Sequence, residues 1–423
     1  MHRPLADTIL AIFHLPPAED HATRLASFST EAWTGTYRWL DASGLAVYFL
    51  DRLKTLGLEA SLPPAVLQRL ERNFRDNSER TADNFAEFVR INRALTAAGI
   101  TFANVKGFSL VPHACADPAL RLQLDLDLLI EMRQIQCCAV TLAALDYVLT
   151  AVSASVWEFK ADASTMPSVN DLYRSKPQRS VEVHFDSGQP PADLAARREW
   201  SNWQEFSFPV LRDSERFIAQ AAHVLKHMRG EWMRPSWLLE FRHSVLHWKE
   251  DRAFWQQVRE QAAADKELQT AIGAAVALTT IAFGSFAPEE LTSWAVDTLD
   301  PRLQLWIERY GRQTIMAGYP GTKLYLLQPD TAPSASAAQR RTKRHRLLPL
   351  HNAPRVVHGN AERGLASRLH GWAAQMEFFR FRLCFHVVEG WRYLLEAPRW
   401  KKIVATAQQP RSALVAADER GLL

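Results

Sequence analysis

Hydrophobic and polar positions follow two different periodicities along this chain of 423 residues. Up to residue 97, apolar residues recur at helical spacing, and Pro63-Pro64 opens a long final helical pattern. Between residues 100 and 208, short alternating runs predict strands mixed with helices, and from Asp213 onward the spacing is helical again. The pattern predicts an α+β protein, with a small mixed-sheet core flanked by amino-terminal and carboxy-terminal helical regions.

The same runs predict individual elements and regions. Within the core we expect a strand ending at Val105, a strand over 124–130, a helix over 133–145, strands near 147–160 and a strand over 180–186. The chain then divides into an amino-terminal helical region (1–97), the core (98–210), a helical domain (211–327) and a basic linker with an aromatic-rich helical tail (328–423).

Two acids, Asp125 and Asp127, stand two residues apart in the run Arg121-Leu-Gln-Leu-Asp-Leu-Asp-Leu-Leu-Ile130. Strand side chains have a period of two, so both carboxylates leave the same face. In a buried strand two neighbouring anions need a cation, and hard oxygen ligands suit Mg²⁺, which completes its shell with waters and substrate phosphates. The alternative is an edge strand whose two Asp side chains face solvent.

A third acid and a basic turn accompany this pair. The run 180–185 alternates like a strand, with Glu182 and His184 on one face, so Glu182 is a candidate third ligand or general base. Lys106-Gly107 ends the preceding strand in a turn, where glycine permits a close approach of the backbone to a ligand and lysine adds a cation. Together the residues predict a metal-dependent site for a phosphate substrate.

Four motifs follow one another along the core: Lys106-Gly107, Arg121, Asp125-Leu-Asp127-Leu-Leu-Ile130 and Val181-Glu-Val-His184. In this order they resemble the uncharacterised nucleotidyltransferase family, a branch of the DNA polymerase β-like nucleotidyltransferase superfamily. A lead-in helix ending at Ala98-Gly99-Ile100 and the downstream His223-Val-Leu-Lys-His227 extend the resemblance to about residues 80–330.

Three positions depart from the family pattern. Glu182 stands where Asp is usual, Glu240 stands where another Asp is expected, and the glycine turn is written Lys106-Gly-Phe-Ser109. Glutamate is one methylene longer than aspartate, which changes how a carboxylate reaches a metal ion.

The resemblance implies a nucleotidyltransferase core that moves a nucleoside monophosphate from an NTP, ATP among the candidates, to an unknown hydroxyl acceptor with release of pyrophosphate. It also implies two Mg²⁺ ions, bound by Asp125, Asp127 and Glu182, that stabilise the attacking and leaving oxygens.

The remaining site residues are also assigned by the resemblance. Lys106, Gly107 and Ser109 would bind the phosphates, and Arg121 would neutralise charge, pair with Asp125 or serve the structure alone. Histidines at three positions are candidate substrate contacts: His184, His223 and His227.

Composition narrows the acceptor and the location. A net charge of +4 is small for this length, so we favour a small molecule, sugar or protein over nucleic acid as acceptor. The four cysteines lack metal-ligand spacing and the first residues lack a signal-peptide core, which predicts a cytoplasmic protein. Residues 268–288 carry no charge, yet they are rich in Ala, Thr and Gly, so we expect a buried core helix and no membrane partner.

Other readings stay open at this point. The protein could be a catalytically silent nucleotide-binding or assembly protein whose helical regions contact a protein partner. The basic run 340–346 is either a solvated loop or a phosphate or nucleic-acid contact, which would suit an RNA- or DNA-acting transferase. The pairs His223/His227 and His243/His247 each share a helical face, as zinc ligands do, although a third ligand is not evident.

Overall fold

The computed structural model describes residues 1–17, 19–153, 155–161, 172–173, 179–185, 193–229, 233–317 and 355–356, together with 376, 380, 383, 387–388, 391 and 394–407. These residues fall into two compact units. The first holds 1–299, 310–317 and 355–356, and the second holds 300–309 and the described part of 376–407. The finer division into four regions stays a prediction.

Five helices form the amino-terminal region, as the spacing predicted: α1 (Arg3–Ala11), α2 (His21–Ala26), α3 (Thr30–Ala42), α4 (Ala46–Leu56) and α5 (Pro64–Ala97). The hydroxyl of Ser29 caps α3 by accepting a hydrogen bond from the Ala32 backbone N–H. Helix α5 ends because Gly99 takes a φ of +69° and Ile100 N–H bonds back to the carbonyl of Leu95.

The core contains one eight-stranded mixed sheet. Its elements in chain order are β1 (Phe102–Val105), β2 (Leu126–Ile130), α6 (Ile135–Ala143), β3 (Val148–Val152), β4 (Val156–Ala161), β5 (Arg179–Phe185), α7 (Leu194–Arg197), β6 (Arg198–Trp203), β7 (Phe206–Leu211) and the short β8 (Arg355–Val356). The strand order is β6-β7-β1-β2-β5-β4-β3-β8. Strand β2 runs antiparallel to β1 and parallel to β5, so β2 lies at the centre of the sheet.

The two faces of this sheet have different surroundings. One face packs Leu128, Val183 and Phe159 against Phe88 of α5 and Leu142 of α6 in the main hydrophobic core. The opposite face carries a small apolar cluster made of Ala103, Val105, Leu129, Leu194 and Leu211. The alternation of β2 and β5 therefore buries Leu126, Leu128, Val181 and Val183 on one side and places Leu129 and the polar residues on the other.

The chain returns to helix after the sheet, in α8 (Asp213–Arg229), α9 (Pro235–His247), α10 (Arg252–Ala263), α11 (Lys266–Phe283), α12 (Glu289–Ala295) and α13 (Pro301–Met316). Helix α11 is a buried core helix, as expected. A Cβ at Gly273 would lie 2.1 Å from the carbonyl oxygen of Ala295, so glycine allows α11 and α12 to pack closely. Among the described residues, no helix is long and apolar enough to cross a membrane.

The second unit is described in part. Residues 394–407 are helical, in agreement with a helical tail, and Trp306, Trp400 and Val404 are buried. Leu383, Trp391 and other large apolar side chains are exposed. The basic run 340–346 and the preceding linker lie outside the described residues.

Candidate active site

The acids of β2 and β5 lie side by side. In the parallel pairing of these strands Asp127 is opposite Glu182, and Leu129 is opposite His184. Because side chains alternate, Asp127, Glu182 and His184 project from the face away from the main core. Asp125 directly precedes β2, which begins two residues later than the predicted strand.

Asp127 is the most strongly contacted of the acids. Its Oδ1 accepts a hydrogen bond from Lys106 Nζ at 2.5 Å and lies 2.8 Å from His184 Nε2. His184 Nε2 is also 3.5 Å from Glu182 Oε2. Burial alone would raise the pKa of Asp127, but the charge of Lys106 and the hydrogen bond to His184 hold it well below its ordinary value. Asp127 is therefore an anion under ordinary conditions.

The two basic partners of Asp127, Lys106 and His184, both have raised pKa values. Burial would lower the pKa of Lys106, but the neighbouring Asp127 raises it above its ordinary value. Burial would also lower the pKa of His184, and its hydrogen bonds to Asp127 and Glu182 raise it instead. In this structure Lys106 and His184 both contact the same carboxylate oxygen.

Asp125 has a different environment from Asp127. Burial, together with the nearby carboxylates of Asp127 and Glu182, raises its pKa to about 6, against the smaller opposing effect of Lys106 and Arg121. A carboxyl group raised in this way, beside two other acids, is typical of sites that receive a cation.

One metal-sized cluster emerges from the described residues. Ligand atoms of Asp127, Glu182 and His184 all lie within 4.8 Å of one another, and Asp125 is outside this cluster. Two carboxylates and an imidazole are suitable donors for a divalent cation, so the chain's own residues fit a metal ion at this position.

The turn that presents Lys106 is strained. Lys106 has φ 61° and ψ −167°, a backbone region that is nearly restricted to glycine, and Gly107 follows with φ +50°. A Cβ on Gly107 would lie 2.4 Å from Gln123 Nε2, so a larger residue would have to displace that side chain and also adopt a φ that favours glycine. Strain of about 1–3 kcal/mol at a non-glycine residue is a common mark of functional positions.

A cavity of about 240 Å³ borders on this cluster. Apolar side chains of the sheet face line one part of it, and residues of α8 and α9 line another. Its lining includes Val105, Lys106, Ser109, Arg121, Leu129, His184, Arg216, Gln220, His223, Trp237 and Glu240. Five of the candidate site residues therefore line one cavity, namely Lys106, Ser109, Arg121, His184 and His223, whereas Asp125, Asp127 and Glu182 are not among its lining residues.

A buried polar network forms a further part of the cavity wall. Arg121 Nε lies 3.1 Å from Glu240 Oε1, and the Tyr48 hydroxyl donates a hydrogen bond to Glu240 Oε1 at 3.1 Å and lies 3.3 Å from Cys115 Sγ. Burial opposes the charge of Arg121, yet Glu240 raises its pKa. Arg121 thus pairs with Glu240 rather than Asp125, and Tyr48 and Cys115 were not found by sequence reasoning.

Ser109 is buried behind the turn. Its backbone carbonyl accepts a hydrogen bond from Arg216 Nη1 at 2.9 Å, and Arg216 also contacts Glu199 at 3.0 Å. Arg216 is a cationic cavity residue that the motifs did not reveal, since it lies in α8 outside the His223-Val-Leu-Lys-His227 motif.

The histidine pairs lie outside the acidic cluster. The rings of His223 and His227 are 4.4 Å apart and both pack on Trp237 of α9, so they form an aromatic group beside the cavity. Burial, with the charges of His227 and Lys106, lowers the pKa of His223 well below its ordinary value. His243 Nδ1 lies 3.1 Å from the Ala114 carbonyl oxygen. Within the described residues, neither pair belongs to a three-ligand metal cluster.

Of the comparisons with known proteins, the family profile agrees with the sequence motifs. A search of curated proteins finds no match to this sequence. A structure of an antigenic nucleotidyltransferase-like protein from Paracoccidioides brasiliensis is similar over 43% of this chain and 88% of its own, with 14% identity and a TM-score of 0.27, too low to carry an argument. The profile of a family described as "Uncharacterised nucleotidyltransferase" matches residues 29–284, which include every candidate site residue. This chain therefore belongs to the uncharacterised nucleotidyltransferase family.

Proposed function

We propose that this protein transfers a nucleoside monophosphate from an NTP to a hydroxyl acceptor, with release of pyrophosphate and with Mg²⁺ as the metal. Family membership supports nucleotidyl transfer as the general activity. The observation that carries the proposal is the convergence of Asp127, Glu182 and His184 on one sheet face, next to a lysine and a cavity.

The acids have separate roles in this proposal. Asp125 and Asp127 would hold two Mg²⁺ ions, and Glu182 would bind one of them. When bound, the ions supply positive charge to the attacking and leaving oxygens of the transfer. The side chain of Glu182 is 31% exposed, against 3% for Asp127, so Glu182 is the acid better placed to take the proton of an incoming hydroxyl.

The basic residues would hold the triphosphate. Lys106 is presented by the strained turn and lines the cavity. It is therefore placed to move from Asp127 to a phosphate when a metal ion neutralises Asp127 instead. Gly107 and Ser109 shape the turn that carries this lysine. The ion pair of Arg121 with Glu240 favours a structural role for Arg121 in the cavity wall.

The cavity supports a small acceptor, or the small reactive part of a larger one. At about 240 Å³ it is below the usual range of about 300–1,000 Å³ for drug-sized ligand sites. His184, His223 and His227 are proposed substrate contacts because the first two line the cavity and the third packs beside them. A reducing cytoplasm is the proposed location, since the described cysteines are free thiols.

A second candidate is a catalytically silent nucleotide-binding or assembly protein. The observation in its favour is that Asp127 is already paired with Lys106 and contacted by His184, which lets the site persist as a folded unit without an ion. Nucleotide binding without transfer would be its signature.

A label-transfer assay separates these candidates. Protein, Mg²⁺ and each α-³²P-labelled NTP are incubated with separate pools of small molecules, sugars, proteins and RNA, and both transferred label and pyrophosphate are measured. We expect transfer with the wild-type protein and none with Asp127→Asn, whose thermal melting point is measured as a folding control. Nucleotide binding with no label transferred to any pool would favour the silent alternative.

A further inference from the structure

We propose that His184 is a metal ligand, so that one divalent ion at this site is held by an imidazole nitrogen together with the carboxylates of Asp127 and Glu182. The resemblance implied a ligand set of acids alone. The inference rests on the proposed function for the use of the ion, but the ligation itself is tested without nucleotide.

Strand geometry places His184 among the acids. Glu182 and His184 are two residues apart on β5, so they share a face, and the parallel register sets Asp127 beside Glu182. His184 Nε2 is 2.8 Å from Asp127 Oδ1 and 3.5 Å from Glu182 Oε2. All three ligand atoms lie within 4.8 Å of one another. An ion with ligands at its usual 2.0–2.2 Å has ligand atoms up to roughly 4.4 Å apart, so only small side-chain shifts are needed.

Asp125 does not join the same three-atom cluster. It precedes β2, whereas Asp127 is the acid on which Lys106 and His184 converge. The imidazole is therefore nearer to a shared ion position than the first acid of the Asp-x-Asp motif.

Binding an ion requires a change at Asp127 Oδ1. Lys106 Nζ and His184 Nε2 both contact this oxygen, so both would give up their contact with it when the oxygen binds an ion. His184 then presents the Nε2 lone pair, and the proton that Nε2 carried is taken by Nδ1 or released to solvent. Lys106 is freed toward the cavity that it already lines.

The donor set specifies a class of ion. Mg²⁺ is bound mainly by oxygen ligands and water, whereas an imidazole nitrogen suits first-row transition metals. A mixed set of two carboxylates and one imidazole therefore predicts that Mn²⁺ gains more from His184 than Mg²⁺ does.

Electron spin-echo spectroscopy of the full-length protein loaded with Mn²⁺ as its chloride tests this directly. Wild-type protein is expected to show modulation from a coordinated ¹⁴N nucleus, and labelling the histidines with ¹⁵N should convert that modulation to the ¹⁵N pattern. His184→Gln should abolish it. His247→Gln, at an exposed histidine of α9 that stacks on His113, is the matched control and should retain it.

Calorimetric titration without nucleotide gives the second readout. His184→Gln is expected to weaken Mn²⁺ binding by about tenfold or more and Mg²⁺ binding by less than about threefold. Bound Mn²⁺ without nitrogen modulation in the wild-type protein, or modulation that persists in His184→Gln, would overturn the inference, and the wild-type result does not depend on the folding of a variant. A nitrogen-ligated ion in a protein without transfer activity would support His184 as a ligand and contradict the proposed function. An ion bound by oxygen ligands alone in an active enzyme would support the proposed function and contradict His184 as a ligand.

Discussion

Removing the charge of Glu240 should destabilise the protein strongly, because it leaves Arg121 buried without its anion. The two groups are 3.1 Å apart, and Coulomb's law at an effective dielectric constant of about 20 gives roughly 5 kcal/mol for such a contact as an upper bound. Breaking a buried ion pair by removing one partner costs about 3–5 kcal/mol in general. We therefore expect Glu240→Gln to lower the free energy of unfolding by about 3 kcal/mol.

A double variant tests the cause. Arg121→Met/Glu240→Met removes both charges together. Its loss of stability should therefore be smaller than the sum of the losses of Arg121→Met and Glu240→Met. Urea unfolding followed by tryptophan fluorescence measures each variant. Glu250→Gln removes an exposed carboxylate from a 4.0 Å surface pair with Lys249 and is the matched control, with no expected shift of the unfolding midpoint.

Two results would refute this reasoning. A loss below about 1 kcal/mol for Glu240→Gln would mean that the pair is not desolvated as the structure places it, and additive single and double variants would mean that the charges do not interact. The double variant also separates the roles of Arg121. Near wild-type NTP affinity is expected for a structural arginine, and a loss of affinity in a folded double variant would assign Arg121 to the phosphates.

Three further predictions concern the turn, the ion and pH. Lys106→Met should tighten Mn²⁺ binding about tenfold by calorimetry, because it removes a cation that competes with the ion for Asp127. The same change should weaken NTP binding. An unchanged Mn²⁺ affinity would contradict the competition between Lys106 and the ion. Gly107→Ala should lower the free energy of unfolding by about 1–3 kcal/mol, because the added Cβ would meet the side chain of Gln123. Adding Gln123→Ala should restore part of that loss. An unchanged stability of Gly107→Ala would contradict the prediction. Burial lowers the pKa of His243 in the folded state, so the unfolded state binds more protons below about pH 6.5. The free energy of unfolding should therefore decline as the pH falls from about 7.5 toward 5, and His243→Gln should flatten that decline. An unchanged pH profile in His243→Gln would count against this role of His243.

Much of the fold followed from local patterns. The bounds of α5 and α13 were predictable because Pro64 and Pro301 mark their first turns and the apolar spacing is sustained. The hairpin of β6 and β7 was not predicted. Pro209 lies within β7, and a proline there argues against a strand in the sequence, but its carbonyl oxygen accepts a hydrogen bond from Asn104 Nδ2 at 2.9 Å and the strand lies beside β1.

The site divides in the same way between local and tertiary information. The period of two correctly brought Glu182 and His184 to one face, because that property belongs to a single strand. The approach of His184 to Asp127 depends on the parallel register of β2 and β5, and the partner of Arg121 depends on how α9 packs. Neither follows from spacing along the chain. Tyr48 was missed for the same reason, since it reaches Glu240 from a distant helix.

The central claim is a metal-dependent nucleotide site at these acids, and calorimetric titration tests it most directly. Each NTP is titrated into the wild-type protein and into Asp125→Asn/Asp127→Asn, with and without Mg²⁺, after both proteins are shown to melt cooperatively. We predict binding that requires both the metal and the two carboxylates, with the preferred base identified by its affinity. Nucleotide binding that is indifferent to the metal and to the double substitution, or no binding of any NTP under any metal condition, would contradict the claim.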